Sequence, residues 1–143
     1  MSSDDEERGT LMPANGMLLY RQINPGKMKS DGPGKSNFIP EDGRGLSTRR
    51  EAITAKGAHD AYISEGGLSI GTWGVSTQEV HNAQLEPFDD EHIDGNPPYH
   101  VTIWFPENLS RGQTERYARQ LHTSAKQRGN NGWLYGPIDG HTP

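Results

Sequence analysis

Arg21 stands near the end of an apolar run, Met17 to Ile23, with Gln22 beside it. Its planar guanidinium carries five donors and suits a phosphate or a carboxylate. The string Leu46-Ser-Thr-Arg-Arg50 offers a second anion-binding set: Ser47 and Thr48 supply hydroxyls and Arg49 a guanidinium. If a helix begins there, its first N–H groups point the same way. Structural roles explain each residue as well, because Arg21 can alternate outward and Thr48 can serve as a helix cap. The two sets act together only if the fold brings Arg21 to Ser47.

His100-Val-Thr102 has the H-x-T spacing of histidines that act as acid and base around a cyclic phosphate, as in the 2H phosphoesterases, which it resembles in one half. A second copy, His122-Thr-Ser124, falls on a helical pattern and follows too soon. The six histidines show no i, i+4 pair, and with no cysteine present no metal site is expected. Gly32-Pro-Gly-Lys-Ser36 is not a phosphate loop: the glycine that motif needs seven residues before its hydroxyl is Lys29 here. Asp89-Asp90-Glu91-His92 reads as a solvated charge run.

These residues sit in a chain of 143 residues with 30% hydrophobic content, 18 Gly, 10 Pro and a net charge of −5. That composition predicts one small domain with a thin core. No apolar run is long enough for a bilayer span, and the polar, acidic start lacks a secretory pattern, so a cytoplasmic protein without a membrane partner is expected. The acidic balance argues against strong general nucleic-acid binding, while a local basic patch stays possible.

The elements that would position the candidates follow from periodicity. Residues 1–15 read as a disordered acidic tail, 17–135 as one domain and 136–143 as a second disordered tail. Residues 17–23 read as a strand, and 24–46 as a long Gly/Pro-rich loop. Thr48 to Glu51 has capping-box spacing, which predicts a helix from Arg49 to about Ser64, ended by Gly66-Gly67. A strand over 68–75 and a second capping box, Ser76 to Glu79, come next. Residues 86–98 read as loop. Tyr99 to Phe105 alternates cleanly, with Val101, Ile103 and Phe105 on one face and His100, Thr102 and Trp104 on the other. A third capping box, Ser110 to Gln113, opens a helix that stops at Gly129, and 133–135 reads as a short last strand. The expected fold is α+β: a small mixed sheet of about four strands, with two or three helices covering one face.

The strings Leu19-Tyr-Arg-Gln-Ile23, Phe38-x-Pro40, Gly45-Leu-Ser-Thr48 and Gly71-Thr-Trp-Gly-Val-Ser76 together resemble a set of small bacterial and actinobacterial proteins without an assigned activity. Tyr20-Arg21 followed by Ser47-Thr48 is also similar to the ADP-ribosyltransferase fold, including the RES-type toxins that consume NAD. That likeness implies that Arg21 holds the NAD phosphates, that the hydroxyls place the nicotinamide ribose, and that an acid stabilises the ribosyl cation. Glu79 is the position it suggests for the acid, and it is equally the end of a capping box.

Two readings result. One is a non-enzymatic regulatory or protein-binding module of a bacterial or phage operon. Its contact surface would be loop 24–46, the acidic loop 86–94 and an exposed face carrying Trp104, His100 and Trp73, where aromatic anchors are the usual hot spots. The other is a NAD-using enzyme with Arg21, Ser47 and Glu79 in its site. A 2H-type phosphoesterase using His100 is the remote third.

Overall fold

The structure is a computed structural model and describes residues 8–41 and 43–138. The strands among the described residues are β1 (Thr10–Leu11), β2 (Leu18–Gln22), β3 (Met28–Lys29), β4 (Gly32–Pro33), β5 (Gly45–Arg50), β6 (Thr72–Ser76), β7 (Glu86–Asp89) and β8 (His100–Trp104). Its helices among the described residues are α1 (Ala55–Ser64), α2 (Thr77–Asn82) and α3 (Arg111–Lys126). Six strands form one antiparallel sheet in the order β1-β7-β8-β5-β2-β6, and β3 and β4 make a separate ladder. The class is α+β as expected, but the sheet has six strands rather than about four.

One face of this sheet holds the core. Leu19 lies opposite Val75, Leu46 opposite Ile103 and Thr48 opposite Val101, so the pleat gathers these side chains on one side. Against them pack Val80 of α2 and Ala83, which caps its end, Ala118, Leu121 and Ala125 of α3, and Phe38 of a 3₁₀ turn, Lys35–Phe38. Both helices start with complete capping boxes, at Ser76 with Glu79 and at Ser110 with Gln113, each satisfying two otherwise unpaired N–H groups. The third helix lies on the opposite face. The Ala55 carbonyl at its start accepts from Thr72 Oγ1 at 3.1 Å, and Arg49 of β5 pairs with Glu65 at its end. The helices therefore cover both faces, not one.

Several local expectations are corrected. The Thr48 capping box does not form, because β5 runs through Arg50 and spends its backbone on the β8 ladder. The hydroxyl of Thr48 donates to the Val101 carbonyl at 2.8 Å, and Glu51 accepts from the Leu18 N–H at 2.9 Å. The helix starts later, at Thr54, whose side chain accepts from the Gly57 N–H. Residues 86–89, read as loop, are β7, and its Phe88 is buried against the sheet. Within the expected N-terminal tail, Thr10 and Leu11 pair with β7 and Asn15 bonds Thr77; residues 1–7 lie outside the described residues. Loop 24–46 contains two 3₁₀ turns and the β3–β4 ladder, and its last residues open β5.

At the other end, Tyr135 makes one bridge to Thr72, and the Ile138 N–H donates to the Ile70 carbonyl at 2.8 Å. The chain after α3 thus returns to the start of β6. Residues 139–143 of the expected C-terminal tail lie outside the described residues.

Candidate functional site

Antiparallel partners share a face, and this rule assembles the site. Arg49 is opposite both Tyr20 and His100, and Ser47 is opposite Thr102. Tyr20, Gln22, Ser47, Arg49, His100 and Thr102 therefore project from the face opposite the core. Tyr62 and Glu65 at the end of α1, with Pro97 from the 90–99 loop, wall off part of that face. The result is a pocket of about 200 Å³ lined by Tyr20, Arg21, Gln22, Ser47, Thr48, Arg49, Tyr62, Glu65, Pro97 and His100.

His100 is held by Asp90, the first residue after β7. One carboxylate oxygen meets His100 Nδ1 at 2.6 Å, and the other accepts from Thr102 Oγ1, also at 2.6 Å. Asp90 is 5% exposed and His100 9%, so this is a buried, fully used carboxylate. An ionised carboxylate only accepts, so the imidazole carries its proton on Nδ1. Nε2 makes no hydrogen bond among the described residues and is left as the proton acceptor of a histidine that lines the pocket.

Arg21 arrives from the other side of its strand, where it lies opposite Trp73. Its Nε donates to the Asn37 carbonyl at 2.6 Å and Nη1 to the Ser47 carbonyl at 3.0 Å, with Glu41 at 3.9 Å from Nη2. Burial lowers its pKa, and Glu41 and Tyr62 work against that shift. The hydrogen bond and the charge of Lys27 hold Glu41 below the usual carboxylate range. The Tyr20 phenol is pushed up, first by burial and then by Glu51. Arg49 is buried and ion-paired to Glu65 through one carboxylate oxygen, and the second oxygen makes no hydrogen bond among the described residues.

Of the residues singled out in the sequence, Arg21, Gln22, Ser47, Thr48, Arg49 and His100 line this one pocket. The Thr48 hydroxyl is already spent on the Val101 carbonyl. Glu79 does not join them. It closes the α2 capping box and is bound by Arg128 at 2.6 and 3.2 Å. The two tryptophans expected on a contact face are not free either. Trp73 is 1% exposed in the core. Trp104 is half-buried, with the guanidiniums of Arg8 and Arg44 at 4.9 and 5.7 Å from its ring.

Glu65 and Asp90 are the acids at the site that the sequence reading passed over. Glu65 carries no local signal beyond ending a helix before Gly66-Gly67. Asp90 could have been found from its position ten residues before an H-x-T strand, at the start of a hairpin loop. No helix among the described residues is long and apolar enough to cross a membrane, and none of their His, Asp and Glu side chains form a group of three able to hold a metal. No family model, curated protein or solved structure matches the chain.

Proposed function

We propose that the pocket takes the ribosyl-phosphate end of a nucleotide substrate of the NAD class and breaks the bond at its anomeric carbon. The carrying observation is that Arg21, Ser47, Glu65 and the Asp90-held His100 meet at one pocket. At about 200 Å³ the pocket is smaller than the roughly 300–1,000 Å³ that takes a whole ligand, so it suits the reacting end. The unbound donors of Arg21 face a phosphate, and Ser47 the ribose hydroxyls. Glu65, with one oxygen on Arg49 and one left over, lies where positive charge develops on the sugar. The C–N bond breaks and nicotinamide leaves with the electron pair. The ribosyl carbon is captured by a water or an acceptor hydroxyl, whose proton passes to His100 Nε2.

The test is nicotinamide release from NAD by the full chain, read by liquid chromatography. Turnover that falls at least a hundredfold in His100→Gln and Glu65→Gln is the expected result, taking about 10²–10⁴ as the worth of a positioned acid–base group. A folded chain that leaves NAD intact, with and without added protein acceptor, overturns the proposal.

A second reading is favoured by the Asp90–His100 pair itself, since a pinned imidazole with a free Nε2 also serves phosphodiester cleavage. Parallel reactions with a nucleoside 2′,3′-cyclic phosphate separate the two. Ring opening without NAD consumption selects this second chemistry.

A further inference from the structure

A second concavity, of about 720 Å³, lies between the β3–β4 hairpin, α3 and the turn that follows it. Three residues on α3, Arg119, His122 and Lys126, are spaced i, i+3 and i+7 and so form one stripe along its wall. The opposite wall carries Lys29 and Lys35. Trp73 contributes to the floor and Trp133 stands at one end. The walls are tied together: His122 Nε2 donates to the Pro33 carbonyl at 2.7 Å, and its ring stacks on Trp73 at 5.4 Å and 27°. Trp133 packs edge-on against Trp73 at 5.8 Å and 87°.

The charges are the informative part. Lys29, Lys35, Arg119 and Lys126 make no ion pair among the described residues, and Asp31 is the one carboxylate in the lining. In a chain of net charge −5, four cations without an ion-pair partner share this groove with a single carboxylate, Asp31, so their mutual repulsion is only partly offset. From this we infer that the groove is a binding site for a nucleoside di- or triphosphate, separate from the sheet-face pocket and independent of its chemistry. Lysine and arginine take phosphate oxygens in charge-assisted hydrogen bonds. The Trp133 ring, set against Trp73 at one end of the groove, is a stacking surface for a base, and cations beside an aromatic platform form the recurrent pairing for nucleotides. The volume falls within the range that holds an entire small ligand.

The test is calorimetric titration of the full chain with ATP at low and at 150 mM salt, with inorganic tripolyphosphate and adenosine as part-ligands. ATP is expected to bind one to one and more weakly as salt rises, and tripolyphosphate about tenfold more weakly than ATP for want of the stacked base. The double variant Lys29→Ser with Lys126→Ser, both exposed, is expected to lose at least about tenfold in ATP affinity with an unchanged circular-dichroism spectrum. Trp133→Leu should weaken ATP while leaving tripolyphosphate unaffected. Absence of ATP binding at millimolar concentration, or undiminished binding in the double lysine variant, overturns the inference. Binding of a single-stranded oligonucleotide but not of ATP also overturns it, by making the groove a nucleic-acid surface.

Discussion

The sheet-face pocket and the groove beside α3 are both lined with cationic side chains, and they treat those charges in opposite ways. At the pocket, Arg21 meets Glu41, Arg49 meets Glu65, and the His100 imidazole meets Asp90. At the groove, Lys29, Lys35, Arg119 and Lys126 meet no carboxylate among the described residues. A buried charge must be paired where it stands, because desolvation is costly and a lone partner is left stranded if the other is removed. An exposed charge needs no such support and stays available to a ligand. The pocket is therefore built into the fold, whereas the groove's cations are attached to it. Substitutions should divide accordingly.

The sharpest way to break that division is Asp90→Ala, which strands the His100 Nδ1–H and the Thr102 hydroxyl together. We expect a loss of about 3–5 kcal/mol in urea unfolding, since two buried donors are left without an acceptor at roughly 1–3 kcal/mol each. A loss below about 1 kcal/mol would mean the pair is incidental to the fold. Next in size, Arg21→Met leaves the Asn37 and Ser47 carbonyls without their donors, for an expected cost of about 2–3 kcal/mol by the same measurement.

Glu79 tests whether pairing alone, outside the pocket, has the same character. Burial acts to raise its pKa, but Arg128 and the Ser76 N–H together outweigh burial and hold the carboxylate below its ordinary value. A depressed carboxylate stabilises the folded chain above its unfolded pKa and loses that contribution as pH falls through the folded value. Glu79→Gln should therefore cost about 1 kcal/mol at neutral pH. Its unfolding midpoint should also drop less steeply than the parent's when the pH is lowered from about 5. Parallel curves would detach Glu79 from the acid response. The smallest effect belongs to Lys29→Ser with Lys126→Ser, for which thermal unfolding should move by the equivalent of no more than about 0.5 kcal/mol. A larger shift would show the groove to be structural after all.

What was legible in the sequence was local. The alternation over 99–105 specifies β8 and its faces, and the boxes at Ser76 and Ser110 mark real helix starts. Thr48-Arg-Arg-Glu51 has the same spacing as those boxes, yet it forms a strand. The difference is the β8 backbone, which is supplied from some fifty residues away and is invisible in a window around Thr48. The site divides in the same manner. Arg21, Ser47 and His100 can be chosen by residue type and spacing. Their meeting depends on β5 lying between β2 and β8, a matter of strand order that periodicity does not encode. Asp90 looked like one acid in a solvated run because its partners lie across a hairpin, and Glu65 enters only through the direction in which α1 crosses the sheet.

The path of the chain after α3 has a consequence for how molecules of this protein meet one another. An exposed strand edge is a template on which a second copy can extend the sheet, the usual first step of ordered aggregation. At the start of β6 that edge is met by the protein's own Leu134 and Tyr135, which exchange backbone hydrogen bonds with Thr72, and Ile138 bonds Ile70 just before the strand. At the far margin, β1 is only two residues long. Each margin of the six-stranded sheet therefore offers a second copy only a short length of strand edge.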